Sequence, residues 1–174
     1  MKMSMVLPVY NEAETLRDFF SELLVAVEPL GFDIEAVFVN DGSTDNSWQV
    51  IRDLAGRYPQ VRGLNLMRNF GQHNALLAGI RSASGDFIVT MDDDLQNPPE
   101  EVPKLLEKLA EGHDVVYGVP EQEQHGRFRD TASVMTKFLM RVGLGFEHAD
   151  KSSSFRAFRS ELRRGFEHFD SRYV

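Results

Sequence analysis

Three consecutive aspartates, Asp92, Asp93 and Asp94, directly follow the apolar and β-branched segment 87–91. Such a segment predicts a buried strand, which cannot carry three carboxylates inward, so the aspartates are expected where the strand leaves the sheet. Alternation along an extended chain puts Asp92 and Asp94 on one side and Asp93 on the other. Two carboxylates on one side suit a hard divalent cation that also binds phosphate oxygens. A solvated acidic turn is the alternative interpretation.

The elements around this run alternate between strands and helices. Buried apolar segments predict strands, and apolar stripes at helical spacing predict the helices between them. This order indicates an α/β fold with a mainly parallel sheet and helices on both faces. The predicted strands are 3–10, 34–39, 61–66, 87–91, 114–118 and 155–159, and the predicted helices are 16–27, 48–55, 73–83 and 102–109.

Polar turns follow four of these strands, within residues 8–12, 41–45, 69–72 and 92–96. Right-handed crossovers bring the carboxyl ends of parallel strands to one edge, where open α/β sheets bind their ligands. Asp41, at the end of the second strand, is therefore a candidate acceptor of hydrogen bonds from a base or a ribose. Asn11, followed by Glu14 three residues later, resembles a capping box and predicts the N-cap of the first helix.

Composition limits the class of protein. The 174 residues, 42% hydrophobic, suffice for one domain with a packed core. There is no cysteine, hence no disulfide or thiolate metal site, and the net charge of -8 argues against nucleic-acid binding. No apolar run is long enough to cross a bilayer. Residues 1–119 carry 9 basic and 19 acidic side chains, whereas residues 120–174 carry 10 and 8. An anion or an anionic surface is therefore expected near the C-terminal third, with chance variation in composition as the alternative.

Several familiar catalytic sites are excluded by their missing motifs. The sequence has no P-loop, no dinucleotide-binding glycine fingerprint after the first strand and no serine nucleophile elbow. The five histidines are scattered and lack metal-ligand spacing. An acidic α/β pattern suited to a metal and a phosphate remains. A bound cation can neutralise a departing nucleoside diphosphate, which describes an enzyme that uses a nucleotide-activated donor.

Four segments, in order and spacing, resemble glycosyltransferase family 2, the inverting enzymes of the GT-A fold. Within that family the chain is most similar to polyprenyl-phosphate glycosyltransferases, which include dolichyl-phosphate mannose synthases and the undecaprenyl-phosphate transferase for 4-deoxy-4-formamido-arabinose. The segments are Val6-Leu7-Pro8-Val9-Tyr10-Asn11-Glu12, Asn40-Asp41-Gly42-Ser43-Thr44-Asp45, Arg68-Asn69-Phe70-Gly71-Gln72 and Met91-Asp92-Asp93-Asp94-Leu95-Gln96-Asn97-Pro98-Pro99-Glu100.

This resemblance implies roles for individual residues. The implied contacts to the nucleotide sugar come from Pro8, Tyr10, Glu12, Asp41, Asn69, Asp92 and Asp93. Asp92 and Asp94, the D-x-D pair, would hold Mg²⁺ or Mn²⁺ with the donor diphosphate, and Gln96 would join them. Asp93 is the variable middle position and should tolerate substitution. The donor would carry UDP, the commoner choice among bacterial relatives, or GDP.

The resemblance also implies catalytic and acceptor residues in the last third of the chain. Arg156, in the segment Phe155–Arg159, would bind the donor diphosphate or the acceptor phosphate. Arg127 and Arg129 are similar to basic residues near the acceptor loop, with a surface ion pair as the alternative for each. Many relatives carry an aspartate where this chain has Ser154, so Asp150 is the candidate general base, with a turn-forming role as the alternative.

As a whole, the resemblance predicts a single GT-A catalytic domain over residues 1–174, cut before C-terminal membrane-anchoring segments. The fragment would be soluble, and the full-length enzyme would work at the cytoplasmic face of the membrane on a polyprenyl phosphate. Self-association into a homo-oligomer is compatible with this prediction. The alternatives are a family 2 enzyme acting on a glycan or lipid-linked oligosaccharide, a nucleotidyltransferase and an inactive nucleotide-binding fragment. The turn at residues 8–12 lacks the glycine-rich basic loop of nucleotidyltransferases.

Overall fold

A computed structural model describes residues 1–91, 99–118 and 154–164. Within these ranges, strands and helices alternate from the first strand to the fifth. The strands are β1 (Lys2–Val9), β2 (Asp33–Asn40), β3 (Val61–Asn65), β4 (Phe87–Thr90), β5 (Val115–Tyr117) and β6 (Arg156–Arg159). The helices are α1 (Leu16–Val27), α2 (Ser47–Arg57), α3 (Gln72–Ser82) and α4 (Val102–Ala110), with 3₁₀ turns at Glu28–Leu30, Pro99–Glu101 and Ser160–Arg163.

The six strands form one sheet in the order β3-β2-β1-β4-β6-β5. The first four strands of this order run parallel, whereas β6 is antiparallel to both of its neighbours. The predicted α/β class and mainly parallel sheet are therefore confirmed. Because β6 lies between β4 and β5, its first residue, Arg156, pairs with Thr90 at the carboxyl end of β4. A residue distant in sequence thus reaches the same edge as the strand-end turns.

Helices cover both faces of the sheet. On one face, β1 side chains such as Met5 and Leu7 pack with α1, α2 and α4. On the other face, Val6 of β1 packs with α3. A Cβ atom at Gly79 of α3 would overlap the Val6 side chain, so this helix lies directly against the sheet. The small residues of α3 permit this close packing, as the sequence predicts.

The start of α1 differs from the prediction. The helix begins at Leu16 with Thr15 at the N-cap position, so the prediction that Asn11 caps it is wrong. Asn11 instead has a φ of 59°, in the left-handed region, and its Oδ1 accepts a hydrogen bond from the Thr44 backbone N–H at 2.8 Å. The side chain of Asn11 therefore binds the neighbouring turn and does not cap the helix.

No helix in the described ranges is long and apolar enough to cross a membrane.

Candidate functional site at the carboxyl edge of the sheet

Asp41 is a buried carboxylate at the carboxyl end of β2, with only 3% of its surface exposed. Its backbone N–H donates to the Val9 carbonyl oxygen at 2.9 Å, which fixes it beside the end of β1. Its Oδ1 accepts a hydrogen bond from the Phe70 backbone N–H at 2.8 Å. In the described part of the chain no donor reaches Oδ2. Burying a polar oxygen without a partner is unfavourable, so Oδ2 is suited to accept a hydrogen bond from a ligand.

The turn after β3 lies directly against the turn that carries Asp41. Gly42 has a φ of +66°, and a Cβ atom there would overlap the Arg68 carbonyl carbon and the Asn69 nitrogen. Asn69 is exposed, and its Oδ1 accepts from the Gly71 N–H at 3.0 Å, an Asx-type turn. The predicted meeting of these two turns is confirmed by this contact.

Two other predicted pocket residues lie on the turn after β1. Tyr10 is 47% exposed at the edge. Glu12 is half-buried, and its Oε2 accepts from the Thr15 hydroxyl at 2.8 Å. Pro8 is buried within β1 and paired with Val39, so it lies one position before the last residue of the strand. Tyr10 and Glu12 are thus open to a ligand, whereas Pro8 lies beneath them as part of the sheet.

Arg156 lies at the opposite side of the same edge. It is half-buried, and its Nε donates to the Thr90 hydroxyl oxygen at 3.3 Å. Thr90 is fully buried, and its hydroxyl donates to the Ser154 carbonyl oxygen. The backbone N–H of the next residue, Met91, donates to the Val6 carbonyl oxygen at 3.3 Å. Met91 therefore still lies at this edge, and Asp92 follows it in the sequence. Arg156 is thereby attached to the strand that leads into Asp92.

Sequence reasoning missed two contributors to this edge. The sequence identifies Thr90 only as a β-branched strand residue, whereas in the structure its hydroxyl connects Arg156 to β4. A buried hydroxyl before an acidic run is the signal that could have identified it. Arg68, whose guanidinium carbon lies 4.8 Å from the centroid of the Phe70 ring, adds an exposed cation beside Asp41's turn. The sequence shows that Arg68 follows β3, but the direction of its side chain depends on the conformation of the turn.

Carboxylates dominate the electrostatics of the β1 and β2 turns. Burial acts to raise the pKa of Asp45, but hydrogen bonds from Ser47 and Ala13 outweigh it and lower this pKa below its ordinary value. Asp45 therefore stays ionised at neutral pH. Together with Asp41 and Glu12 it makes this part of the edge acidic, while Arg68 and Arg156 supply the positive charge. An edge with both signs can receive a phosphorylated ligand together with a cation.

Seven predicted site residues lie outside the described residues: Asp92, Asp93, Asp94, Gln96, Arg127, Arg129 and Asp150. Their predicted roles stay predictions. Within residues 1–91, 99–118 and 154–164, no three histidine, aspartate or glutamate side chains cluster closely enough to hold a metal ion. The predicted site residues that the structure does describe are Pro8, Tyr10, Glu12, Asp41, Asn69 and Arg156.

Comparison with known families covers nearly the whole of this architecture. Residues 4–166, which run from β1 to beyond β6, match the family described as glycosyl transferase family 2. The chain belongs to glycosyl transferase family 2. The family named in the sequence resemblance is thus confirmed, whereas the polyprenyl-phosphate branch of the family stays a prediction.

Three solved structures illustrate what this family 2 chain is similar to. The mannosyltransferase PcManGT from Pyrobaculum calidifontis, in complex with GDP-Man and Mn²⁺, is 22% identical with a TM-score of 0.66, covering 97% of this chain and 47% of that one. TarS 1-349 from S. aureus, in complex with UDP-GlcNAc, is 19% identical with a TM-score of 0.63, covering 95% and 47%. Glucosyl-3-phosphoglycerate synthase from Mycobacterium tuberculosis, in complex with Mn²⁺, UDP-Glc and phosphoglyceric acid, is 27% identical with a TM-score of 0.65, covering 92% and 57%.

These matches confirm the predicted GT-A fold of the family 2 chain. The identities to the first two structures are low, so those two bear on the fold alone. The chain spans about half the length of the solved structures it matches, since it covers 47% to 57% of them. The family and the fold of the chain are therefore established.

Proposed function

We propose that the chain is the catalytic domain of a metal-dependent, inverting glycosyltransferase that moves a sugar from a nucleotide sugar to a polyprenyl phosphate. The observation that carries the proposal is Asp41. It is a buried carboxylate at the carboxyl edge of a parallel sheet, and within the described chain its Oδ2 has no donor. Ligands of open α/β sheets bind outside this edge, and base and ribose groups offer the N–H or O–H that such an oxygen accepts.

The donor's nucleotide would lie across the turns after β1, β2 and β3. Asp41 would accept from the base or the ribose, and Tyr10, which is 47% exposed, would contribute an aromatic face or its hydroxyl. Glu12 and Asn69 would line the same pocket, and Pro8 would form its floor from beneath. UDP is the favoured donor nucleotide and GDP the second. The complex of the 27% identical synthase with UDP-Glc supports a uridine donor.

The donor set of the aspartate run fits a divalent cation. Asp92 and Asp94 offer carboxylate oxygens, and Gln96 offers its amide carbonyl oxygen. Oxygen atoms are the ligands that Mg²⁺ and Mn²⁺ prefer. When bound, the ion would neutralise the negative charge of the departing diphosphate. The Mn²⁺ in the 27% identical synthase supports this assignment. Asp93 would contact the nucleotide sugar without serving as a ligand.

In the proposed reaction an acceptor phosphate oxygen attacks the anomeric carbon from the face opposite the diphosphate. The new C–O bond forms as the bond to the diphosphate oxygen breaks, and its electron pair leaves with the nucleoside diphosphate. Arg156 would bind one of these phosphates, because a guanidinium matches phosphate geometry. Arg127 and Arg129 would bind the acceptor phosphate. A phosphate acceptor is already anionic at neutral pH, so Asp150 would have only a minor task as base.

A second candidate acceptor is a small phosphorylated compound. The 27% identical synthase was solved with phosphoglyceric acid beside UDP-Glc and Mn²⁺. Arg156 would serve this acceptor in the same way, since the phosphate is the shared group. A family 2 enzyme acting on a glycan or a lipid-linked oligosaccharide is a further alternative. The polyprenyl acceptor would place the full-length enzyme at the cytoplasmic membrane face.

Thermal shift and product analysis would test the proposal. UDP or GDP should raise the Tm in the presence of Mn²⁺ and should do so less without it, because the metal and diphosphate bind together. Sugar transfer from the matching nucleotide sugar would then be compared between undecaprenyl phosphate and 3-phosphoglycerate. No stabilisation by either nucleotide with Mn²⁺ would overturn the donor site. Transfer to 3-phosphoglycerate alone would replace the polyprenyl acceptor with the second candidate.

A further inference from the structure

The turn after β1 and the turn after β2 are bound to each other by side chains that contact backbone groups. The Asn11 backbone N–H donates to the Ser43 hydroxyl oxygen at 3.0 Å, and the Thr44 backbone N–H donates to Asn11 Oδ1 at 2.8 Å. Each turn thus supplies a side-chain acceptor for a backbone donor of the other. Such a reciprocal pair fixes the distance between the two turns as well as their relative rotation.

Asp45 adds a second connection between the same turns. Its Oδ2 accepts from the Ala13 backbone N–H at 3.0 Å, and its Oδ1 accepts from the Ser47 hydroxyl at 2.6 Å. The fully buried Ser47 oxygen in turn accepts from the Glu12 backbone N–H at 2.9 Å. Three consecutive backbone N–H groups, at residues 11–13, are therefore held by the side chains of Ser43, Ser47 and Asp45.

The backbone of Asn11 is shaped for this contact. Its φ of 59° is rare for a residue with a side chain, although asparagine tolerates it better than most. Non-glycine residues in this region persist where their surroundings hold them, and they cluster at functional sites. Here the unusual φ lies between Tyr10 and Glu12, two residues of the proposed donor pocket. The conformation of Asn11 therefore decides how both are presented.

We propose that Asn11 and Asp45 are positioning residues for the donor nucleotide. They hold Tyr10 and Glu12 of the first turn at a fixed place relative to Asp41 of the second, and they need not touch the nucleotide themselves. The inference rests on the proposed function, since it assumes that the nucleotide spans these two turns. A preformed pocket binds more tightly than one that must be ordered on binding.

A purely structural role is the competing explanation, and the chain offers a matched control for it. Asp53 of α2 accepts two side-chain hydrogen bonds, from Arg17 Nη2 and Gln49 Nε2, each at 2.8 Å. Asp45 differs in that it accepts one from a side chain, the Ser47 hydroxyl, and two from backbone N–H groups, those of Ala13 and Ser47. Like Asp45, Asp53 connects the α1 and α2 regions, but it lies on the helix surface away from the turns. Asp53→Asn therefore removes a carboxylate that joins the α1 and α2 regions without disturbing the pocket.

Calorimetric titration of UDP and of GDP, each with Mn²⁺, would separate the two explanations. Asn11→Gly keeps the left-handed backbone but removes the acceptor, and we expect it to weaken binding about tenfold. Asn11→Asp keeps both the acceptor and the tolerance for positive φ, and it should restore binding to within about threefold of the wild type. Asp45→Asn should weaken binding about tenfold, whereas Asp53→Asn should bind like the wild type.

The same titrations distinguish failure of this inference from failure of the proposed function. If the wild-type chain binds neither nucleotide with Mn²⁺, the proposed function falls and this inference falls with it. If the wild type binds one of them, but Asn11→Gly and Asp45→Asn bind as tightly as Asp53→Asn, only the positioning role is overturned. Equal weakening by Asn11→Gly and Asn11→Asp would also contradict it, because the retained acceptor would then have no effect.

Discussion

The Oδ1 atom of Asp41 accepts a hydrogen bond from the backbone N–H of Phe70 at 2.8 Å. This bond joins the end of β2 to the turn that begins α3, two segments 29 residues apart in sequence. Because the Phe70 N–H holds one carboxylate oxygen of Asp41, the side chain has a fixed orientation. The position of its other oxygen, Oδ2, is therefore fixed as well. Asp41 is therefore both a structural acceptor and the strongest described candidate for contact with a base or ribose.

Substitutions at Asp41 should separate these two tasks. Asp41→Asn keeps an oxygen that can accept from Phe70, so we expect the free energy of unfolding to change by less than about 1 kcal/mol. It replaces the second acceptor with an N–H₂ group, so binding of UDP or GDP should weaken at least about tenfold. Denaturant unfolding and calorimetry measure the two effects. Wild-type nucleotide affinity in Asp41→Asn would remove Asp41 from the pocket.

Gly42 should be intolerant of any side chain. Its φ of +66° and the overlap of a Cβ atom with Arg68 and Asn69 predict that Gly42→Ala destabilises the fold by about 2 kcal/mol or more. Gly56→Ala is the matched control, since a Cβ atom there meets nothing within 4 Å and the residue lies inside α2. It should stabilise by up to about 1 kcal/mol. Equal unfolding free energies for the two variants would refute the predicted contact.

Thr90 should matter through its hydroxyl group. Thr90→Val keeps the shape of the side chain but removes its hydroxyl. That hydroxyl accepts from Arg156 Nε and donates to the Ser154 carbonyl oxygen, so its loss should lower the free energy of unfolding by about 1–3 kcal/mol. Thr90→Ser retains both hydrogen bonds and loses one methyl group. In a sugar-transfer assay, Thr90→Val should therefore lower kcat more than Thr90→Ser does. The opposite order would indicate that the methyl group, and not the hydroxyl, matters for Arg156.

Glu35 should make the stability of the fold depend on pH. Burial acts to raise its pKa, but hydrogen bonds from Ser4, Arg62 and Ser84 outweigh burial and lower the pKa to about 2 from 4.5. A carboxyl whose folded pKa is depressed stabilises the fold above its unfolded pKa and loses that contribution as the pH falls through the folded value. The contribution at pH 7 is on the order of 2–3 kcal/mol.

The comparison of Glu35→Gln with the wild type measures this contribution. The difference in unfolding free energy should be largest at pH 7 and should fall by about half or more between pH 5 and pH 3. Glu28→Gln, at an exposed glutamate of the 3₁₀ turn Glu28–Leu30, is the control for the loss of a surface carboxylate. A difference for Glu35→Gln that stays constant down to pH 3 would show that the carboxylate is not preferentially stabilised in the folded state.

The parallel part of the fold could be predicted because each of its signals is local. Apolar runs such as the one ending at Val39 and the helical stripe beginning at Leu16 coincide with β2 and α1. The crossover rule then brings the strand-end turns to one edge, which the contact of Gly42 with Arg68 and Asn69 bears out. The family match confirms the resemblance drawn from the segments on those turns.

The remainder depended on contacts that no local pattern encodes. The Asn11 and Glu14 spacing fitted a helix cap, but the side chain of Asn11 bonds Thr44, which is 33 residues away. Thr90 appeared as one more β-branched strand residue until β6 brought Arg156 beside it. In both cases a polar side chain serves a distant segment, so only the assembled sheet reveals its partner.

The most direct test of the central claim is a calorimetric titration of UDP and GDP with and without Mn²⁺, on the wild type and on Asp94→Ala. Asp114→Ala, at an exposed aspartate that precedes β5, is the control. We expect at least one nucleotide to bind the wild type about tenfold or more tightly with Mn²⁺ than without it, and we expect Asp94→Ala, but not Asp114→Ala, to abolish this metal effect. No metal-dependent binding in the wild type, or the same metal effect in Asp94→Ala as in Asp114→Ala, would contradict it.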